Sequence, residues 1–195
     1  MFDFGLVGLG VMGRNFILNV ASKGFSAMGL SSKDEAINLL KREGADYRVD
    51  GTKSDEEFIK KLSRPRKIML LVPAGNPVDT VIERFLPYLD EGDIIIDGGN
   101  SHYDDTDRRY LYLKNKNIHF IGAGVSGGSK GARFGPSIMP GGDKECYKEI
   151  QPIFEAAAAK VKEEPCVSYL GITSSGHYVK MIHNGIEYAI MQLIS

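Results

Sequence analysis

The start of the chain constrains the fold more than any other stretch. A short apolar run, Phe2 to Val7, passes into Gly8-Leu-Gly-Val-Met-Gly13, and an apolar-periodic segment from Arg14 to Ser22 then stops at Gly24. Strand, glycines and helix in that order describe a turn that brings backbone N–H groups against a pyrophosphate. Gly8 and Gly10 permit the tight turn and the close approach, and Gly13 lets the helix pack on its strand. The helix N-terminus favours negative charge, and Val11 and Met12 within the turn are further candidate cofactor contacts. A glycine-rich turn that merely packs well is the plainer alternative.

Such a turn belongs to a parallel sheet, and the following residues repeat the required unit. Strands are expected at Phe25 to Leu30, Ala45 to Val49, Lys67 to Val72, Asp93 to Asp97 and Ile118 to Ile121. Between them lie helical patterns at Asp34 to Arg42, Ser54 to Leu62, Val78 to Leu89 and Thr106 to Lys114. KIMLLV and DIIID are continuous apolar runs of strand length, as expected for strands buried on both faces. The fold class is therefore α/β, a doubly wound, mostly parallel sheet. Further on, Lys130 to Gly142 reads as a loop and a returning strand, with Gly122 to Gly128 a glycine-rich loop before it. Glu145 to Ala159 reads as a helix kinked or split at Pro152, and Cys166 to Leu170 as a last strand.

Composition closes off several function classes. Across 195 residues, 43% apolar and 25% charged side chains can build an ordinary core, and a net charge of −1 gives no electrostatic case for nucleic acid or an anionic membrane. The dense basic stretch Arg64-Pro-Arg-Lys67 reads as a solvated turn. Cys146 and Cys166 are too few for a disulfide framework and lack metal-site spacing, so no metal is expected. No apolar run approaches a membrane span, and MFDFGLVGLG lacks the basic start of a signal peptide. The expectation is a cytoplasmic protein.

In a doubly wound sheet, ligands bind beyond the carboxyl ends of the strands. The loops expected there are GLGVMG, SSK, PAGNP (with Val72, Pro73 and Ala74 at its start), DGGNS and GAGVSGG. Asn100, Ser101 and Ser126 are candidate partners for a hydroxylated or acidic substrate, although Asn and Ser also make turns. After the second strand, Ser31-Ser32-Lys33 replaces the carboxylate that commonly holds a ribose 2′-hydroxyl. Two hydroxyls and an ammonium favour a 2′-phosphate, hence NADP over NAD, while Ser32-Lys-Asp-Glu35 also fits a helix capping box. Near the end of the chain, Gly176 to Tyr188 reads as a helix carrying Lys180, His183, Asn184 and Glu187 on one stripe. That stripe suits a polar cavity, or else a surface helix with a Lys/Glu pair.

Taken together, GLGVMG, DGGNS, GVSGGxxGARFGPSIMPGG and GHYVKMIHNGIEYAIMQLI resemble the decarboxylating, long-chain 6-phosphogluconate dehydrogenases over almost the whole chain. The resemblance implies a Rossmann-type dinucleotide-binding domain over 1–173 and the start of an all-helical domain over 174–195. It implies oxidation of a phosphorylated sugar acid, 6-phosphogluconate, at C3 by NADP, with NAD possible, followed by loss of CO2 to ribulose 5-phosphate. Lys180 matches the base that takes the 3-hydroxyl proton, and Glu187 the acid that protonates C1 afterwards. Asn100, Ser126, Gly127, Gly128, His183, Asn184 and Tyr188 match substrate-holding positions, with Tyr188 near the phosphate. A homodimer is implied for full-length members.

This chain departs from the family pattern in three places. Ser31-Ser32-Lys33 stands where the family commonly has Asn-Arg-Thr, and Ser129-Lys130 where it often has two glutamates. Family members also continue past the position of Ser195 into a large helical domain, which supplies further substrate contacts and most of the dimer interface. Two readings follow: a decarboxylating dehydrogenase, and a dinucleotide-binding module without turnover. A related β-hydroxyacid dehydrogenase, such as 3-hydroxyisobutyrate dehydrogenase, is more distant because HNGIEY and DGGNS are not expected there.

Overall fold

The computed structural model describes Met1–Ser195. Its first half alternates strand and helix: β1 (Phe4–Val7), α1 (Val11–Ser22), β2 (Ala27–Leu30), α2 (Asp34–Glu43), β3 (Val49–Thr52), α3 (Asp55–Lys60), β4 (Lys67–Leu70) and α4 (Asn76–Phe85). A 3-10 turn at Leu86–Tyr88 absorbs Pro87 and ends α4 earlier than the periodicity suggests. Then come β5 (Ile94–Asp97), α5 (Tyr103–Lys114), β6 (His119–Ser126), α6 (Gly128–Phe134), β7 (Ser137–Gly142) and α7 (Lys144–Ala157). A short hairpin, β8 (Lys160–Val161) with β9 (Glu164–Pro165), precedes α8 (Ser175–Ile194).

The sheet order is β3-β2-β1-β4-β5-β6-β7, parallel except that β7 runs against β6. β1 has β2 on one side and β4 on the other, so the strand order reverses at the end of β1, where the glycine turn lies. The doubly wound expectation holds. Period-2 alternation divides the apolar strands between two cores. Ile94 and Ile96 join Phe16, Ile17 and Phe154 on the α1/α7 face, while Ile95 joins Phe58, Phe85 and Leu113 on the other. Each fully buried branched side chain contributes roughly 1.5–3 kcal/mol, which is why unbroken apolar runs specify central strands.

Several local expectations are corrected. The third strand lies at Val49–Thr52 and shares only Val49 with the stretch Ala45 to Val49 in which it was expected. The expected loop Gly122 to Ser126 is strand: β6 pairs with β7 from Ile121 to Ser126, and the next residues form α6 rather than a loop. Pro152 does not split α7, which runs as one helix from Lys144 to Ala157; the carbonyl whose hydrogen bond it forfeits belongs to exposed Lys148 and can face water. Cys166 to Leu170 is no strand, contributing only one isolated bridge, Val167 to Ile138. Ser32 does not cap α2, because Lys33 occupies the cap position and Ser31 Oγ accepts from the Lys33 N–H at 3.2 Å. Arg66, in the basic stretch expected to be solvated, is buried against Asp93 at 2.6 Å. No helix is long and apolar enough to cross a membrane.

Candidate functional site

The glycine turn is built as its spacing demands. A Cβ on Gly13 would lie 1.9 Å from the Gly8 carbonyl, so α1 can approach β1 only with glycine there. Gly10 is different: a Cβ would meet nothing within 4 Å. Nothing in the fold itself demands glycine at that position, whereas a ligand lying against the backbone would. α1 begins without a side-chain cap and without acidic residues in its first turn, leaving its N–H groups open to an anion.

Beside this turn stand Pro73 and Ala74, which follow β4, and Gly98-Gly-Asn100, which follows β5. Both loops are tied down by a group that periodicity did not reveal. Arg109 of α5 is buried, with Nε and Nη2 each 2.9 Å from the Asp79 carboxylate. It also donates to the Gly75 carbonyl at 3.0 Å and to Ser101 Oγ at 3.2 Å. Asp97, at the end of β5, completes the knot by accepting from the Gly99 N–H at 3.0 Å and from Ser101 Oγ at 2.6 Å. Arg109 draws the Asp79 carboxyl down to about 2, far below the usual range. The loops carrying Ala74 and Asn100 are therefore held by one guanidinium.

α8 then crosses β6 and β7 at backbone distance. A Cβ on Gly124 would lie 2.5 Å from Lys180 Cβ, and one on Gly176 would lie 2.2 Å from two carbonyl oxygens. Small residues in GAGVSGG thus make room for the helix. His177 fixes its azimuth: Nε2 lies 3.0 Å from the Asp97 carbonyl and Nδ1 2.6 Å from Thr106 Oγ1. A carbonyl can only accept, so Nε2 carries the proton and Nδ1 accepts from the threonine hydroxyl. Burial holds this imidazole below the usual histidine range and so keeps it neutral. One turn on, Lys180 is 8% exposed and has neither an ion pair nor a hydrogen bond within the chain. Its pKa is lowered by burial, against the pull of Glu187.

These elements enclose cavities that share walls along the carboxyl edge of the sheet. One, of about 180 Å3, is lined by Asn100, Ser101, His177, Lys180 and Asn184. The next, of about 250 Å3, is lined by Met12, Val72, Pro73, Ala74, Gly99 and Asn100. A third, of about 220 Å3, runs from Gly8 and Val72 to Ser31 and Ser32. Asn100 is common to the first two and Val72 to the last two, so they form one row. An extended ligand with a planar head, a central diphosphate and an adenosine tail fits that order: a pocket beside Asn100, the open α1 N-terminus, and a pocket at the end of β2.

Other expected residues stand apart. Ser126, Gly127 and Gly128 form the β6–α6 turn and do not line these cavities, and Lys33 lines none of them either. His183 and Glu187 share a separate shallow depression, 3.6 Å from each other, and Tyr188 is 62% exposed. The residues that sequence reading missed are Asp97, Arg109 and His177. No local pattern pointed to them, since Arg109 and its partner Asp79 lie 30 residues apart and His177 lies 80 residues from Asp97.

The fold and this row of cavities define the class: an α/β dinucleotide-binding domain with a buried, unpaired lysine at one end of the cofactor groove. The family model for the NAD-binding domain of 6-phosphogluconate dehydrogenase matches residues 3–171, and that for the C-terminal domain of the same enzyme matches 176–195. The chain belongs to the 6-phosphogluconate dehydrogenase family. It is 53% identical over 193 residues to decarboxylating 6-phosphogluconate dehydrogenase 1 of Saccharomyces cerevisiae, covering 98% of this chain and 40% of that one. It is 52% identical over 193 residues to the NADP(+)-dependent decarboxylating enzyme of Bacillus subtilis, covering 99% and 41%. A solved Plasmodium falciparum 6-phosphogluconate dehydrogenase, studied with NADP+ and with 6-phosphogluconate, superposes with a TM-score of 0.94 at 46% identity, covering 98% of this chain and 42% of that one. A 3-hydroxyisobutyrate dehydrogenase of Mycobacterium tuberculosis, at 22% identity and a TM-score of 0.81, shares the fold alone. The chain spans about 40% of the length of the curated relatives it matches.

Proposed function

We propose that this chain carries the coenzyme-binding part, and the catalytic base, of an NADP-dependent 6-phosphogluconate dehydrogenase that oxidises and decarboxylates its substrate. Residues 1–173 form the dinucleotide domain and 174–195 open a helical domain. The observation that supports the reading best is Lys180, an amine with a lowered pKa and no partner, sharing a cavity wall with Asn100 where the cofactor groove ends. NADP, when bound, supplies the hydride acceptor.

The rest is assigned to the chain's own side chains. A neutral Lys180 removes the proton from the substrate's 3-hydroxyl, and its desolvation favours the neutral form relative to an exposed lysine. Asn100, placed between the two cavities, orients sugar and coenzyme against each other. Asn184 holds substrate hydroxyls beside Lys180, and the Ser126–Gly128 turn and His183 hold it from the far side. Glu187 returns a proton to C1 after CO2 has left, and Tyr188 meets the phosphate. We further propose that the full-length protein is a cytoplasmic homodimer.

A second reading is favoured by the exposure of Glu187 and Tyr188: these 195 residues bind the dinucleotide without turning over. Purified protein with 6-phosphogluconate and NADP separates the two when NADPH absorbance and CO2 release are both followed. Coupled NADPH and CO2 support the enzyme. NADPH without CO2 would remove the decarboxylase assignment. NADP binding without any turnover leaves the binding module.

A further inference from the structure

We propose that Lys53 and Arg84 select a 2′-phosphorylated adenosine dinucleotide, taking the place of the arginine that this chain lacks after β2. The inference rests on the reading of the chain as a dinucleotide domain. It concerns the cavity at the end of β2, where Ser31, Ser32, Lys53 and Arg84 supply the polar lining and no carboxylate contributes. A site built for an unmodified ribose places an acidic side chain there, to accept from the 2′-hydroxyl. This one instead offers two hydroxyls and two cations.

The cations come from distant segments and are already oriented. Lys53 follows β3, and its ammonium lies 2.9 Å from the Asp34 carboxylate. Arg84, from α4, sets Nε and Nη2 on the two oxygens of Asp55 at 2.9 and 2.5 Å. Nη1 of Arg84 has no partner within the chain, and two of the three ammonium hydrogens of Lys53 are likewise uncommitted. Ser31 Oγ accepts from the Lys33 N–H, which leaves its hydroxyl hydrogen free to donate, and Ser32 is free of any capping role. Asp34 and Asp55 sit in the first turns of α2 and α3 and cancel part of the cationic charge. Discrimination therefore comes from placed donors, which a phosphate dianion uses and a hydroxyl does not. Lys33, the cation nearest in sequence, does not line the cavity.

The test is calorimetric titration of the 195-residue chain with NADP and with NAD, for the natural sequence and for Lys53→Gln, Arg84→Gln, the double variant and Lys33→Gln. Loss of one charge-assisted contact at a half-exposed site should weaken NADP about five- to tenfold. NAD affinity should stay within about twofold and so report that the fold is intact. The double variant should bring the two affinities close to parity, and raised salt should weaken NADP more than NAD only while both cations are present. An unchanged NADP/NAD ratio in the double variant overturns the proposal, as does a loss carried by Lys33→Gln instead. Failure of the natural chain to bind either dinucleotide would remove the functional reading and this proposal together; NAD binding without NADP preference removes this proposal alone.

Discussion

Lys180 holds an aliphatic stem and a charge in a place that suits only the stem. Burial lowers its pKa, so over the range between its folded value and an ordinary lysine's, near 10.4, the unfolded chain binds more protons than the folded one. Stability contributed by this site therefore rises with pH and is at its lowest when the folded lysine is protonated. Lys180→Met, which keeps the stem and removes the charge, should raise the melting temperature at pH 7, and the gain should shrink as pH climbs toward 10. A lower melting temperature at pH 7 would show that the ammonium is well solvated. Lys180→Ala should abolish NADP reduction in an active enzyme while leaving NADP affinity nearly unchanged, and measurable turnover would remove it from the role of base. The neighbouring histidine is held by two bonds instead of none. His177→Phe removes the hydrogen bond to the Asp97 carbonyl and the one to the Thr106 hydroxyl, which can still donate to the His102 carbonyl at 3.1 Å, so the loss should be about 0.5–1.5 kcal/mol per bond, readable as a lower urea midpoint.

Among the elements, α8 depends on glycine in the strand beneath it. Gly124→Ala puts a methyl group 2.5 Å from Lys180 Cβ, so the helix or the strand must shift. Overpacking of this kind costs about 1–3 kcal/mol. It should lower the chemical step far more than NADP binding, because the third cavity lies at the opposite end of the row; equal losses in both would count against this separation. The same elements show why some of the molecule could be read from sequence and some could not. β1, the glycine turn and α1 are legible because each glycine answers a local need and the order is contiguous. The apolar β4 and β5 are legible because burial on both faces forces an unbroken run. β6 was cut short because Gly122, Gly124 and Ser126 lack strand propensity, and only pairing with β7 makes them strand. The cations of the β2 cavity were missed for another reason. Lys53 and Arg84 reach it from elements that no local pattern links to Ser31.

For the whole molecule, the knot around Arg109 joins α4, α5 and the loops after β4 and β5 through charge rather than apolar contact. Asp79 has its pKa drawn down to about 2, so the stability it gives is present above the ordinary aspartate pKa and is lost as pH falls through the folded value. Acid unfolding should therefore steepen between about pH 4 and 2, and Asp79→Asn should flatten that limb while lowering stability at pH 7. An unaltered acid limb in the variant would show that other carboxylates govern it. The outer face of α8 carries the opposite character, with Ile186, Ile190, Met191, Leu193 and Ile194 all more than half exposed. The 195-residue chain should accordingly bind an apolar dye such as ANS in its folded state, and Ile190→Glu should reduce the signal without moving the melting temperature by more than about 2 °C.

The seating of α8 on the sheet, through Gly124 of β6 and the helix's own Gly176, makes the helix a cantilever. Its buried residues, Gly176, His177 and Lys180, all lie in the first two turns, Asn184 still lines the cavity beside Lys180, and every residue from Gly185 onward is exposed. Lys180 is the last clamped position, and Glu187 stands almost two turns out along the free arm. The alignment of the amine is thereby inherited from the sheet, while that of the carboxylate is set by whatever bears on the arm. On the roles proposed for the two residues, pressure on the arm would re-aim the proton transfer by Glu187 without disturbing that by Lys180.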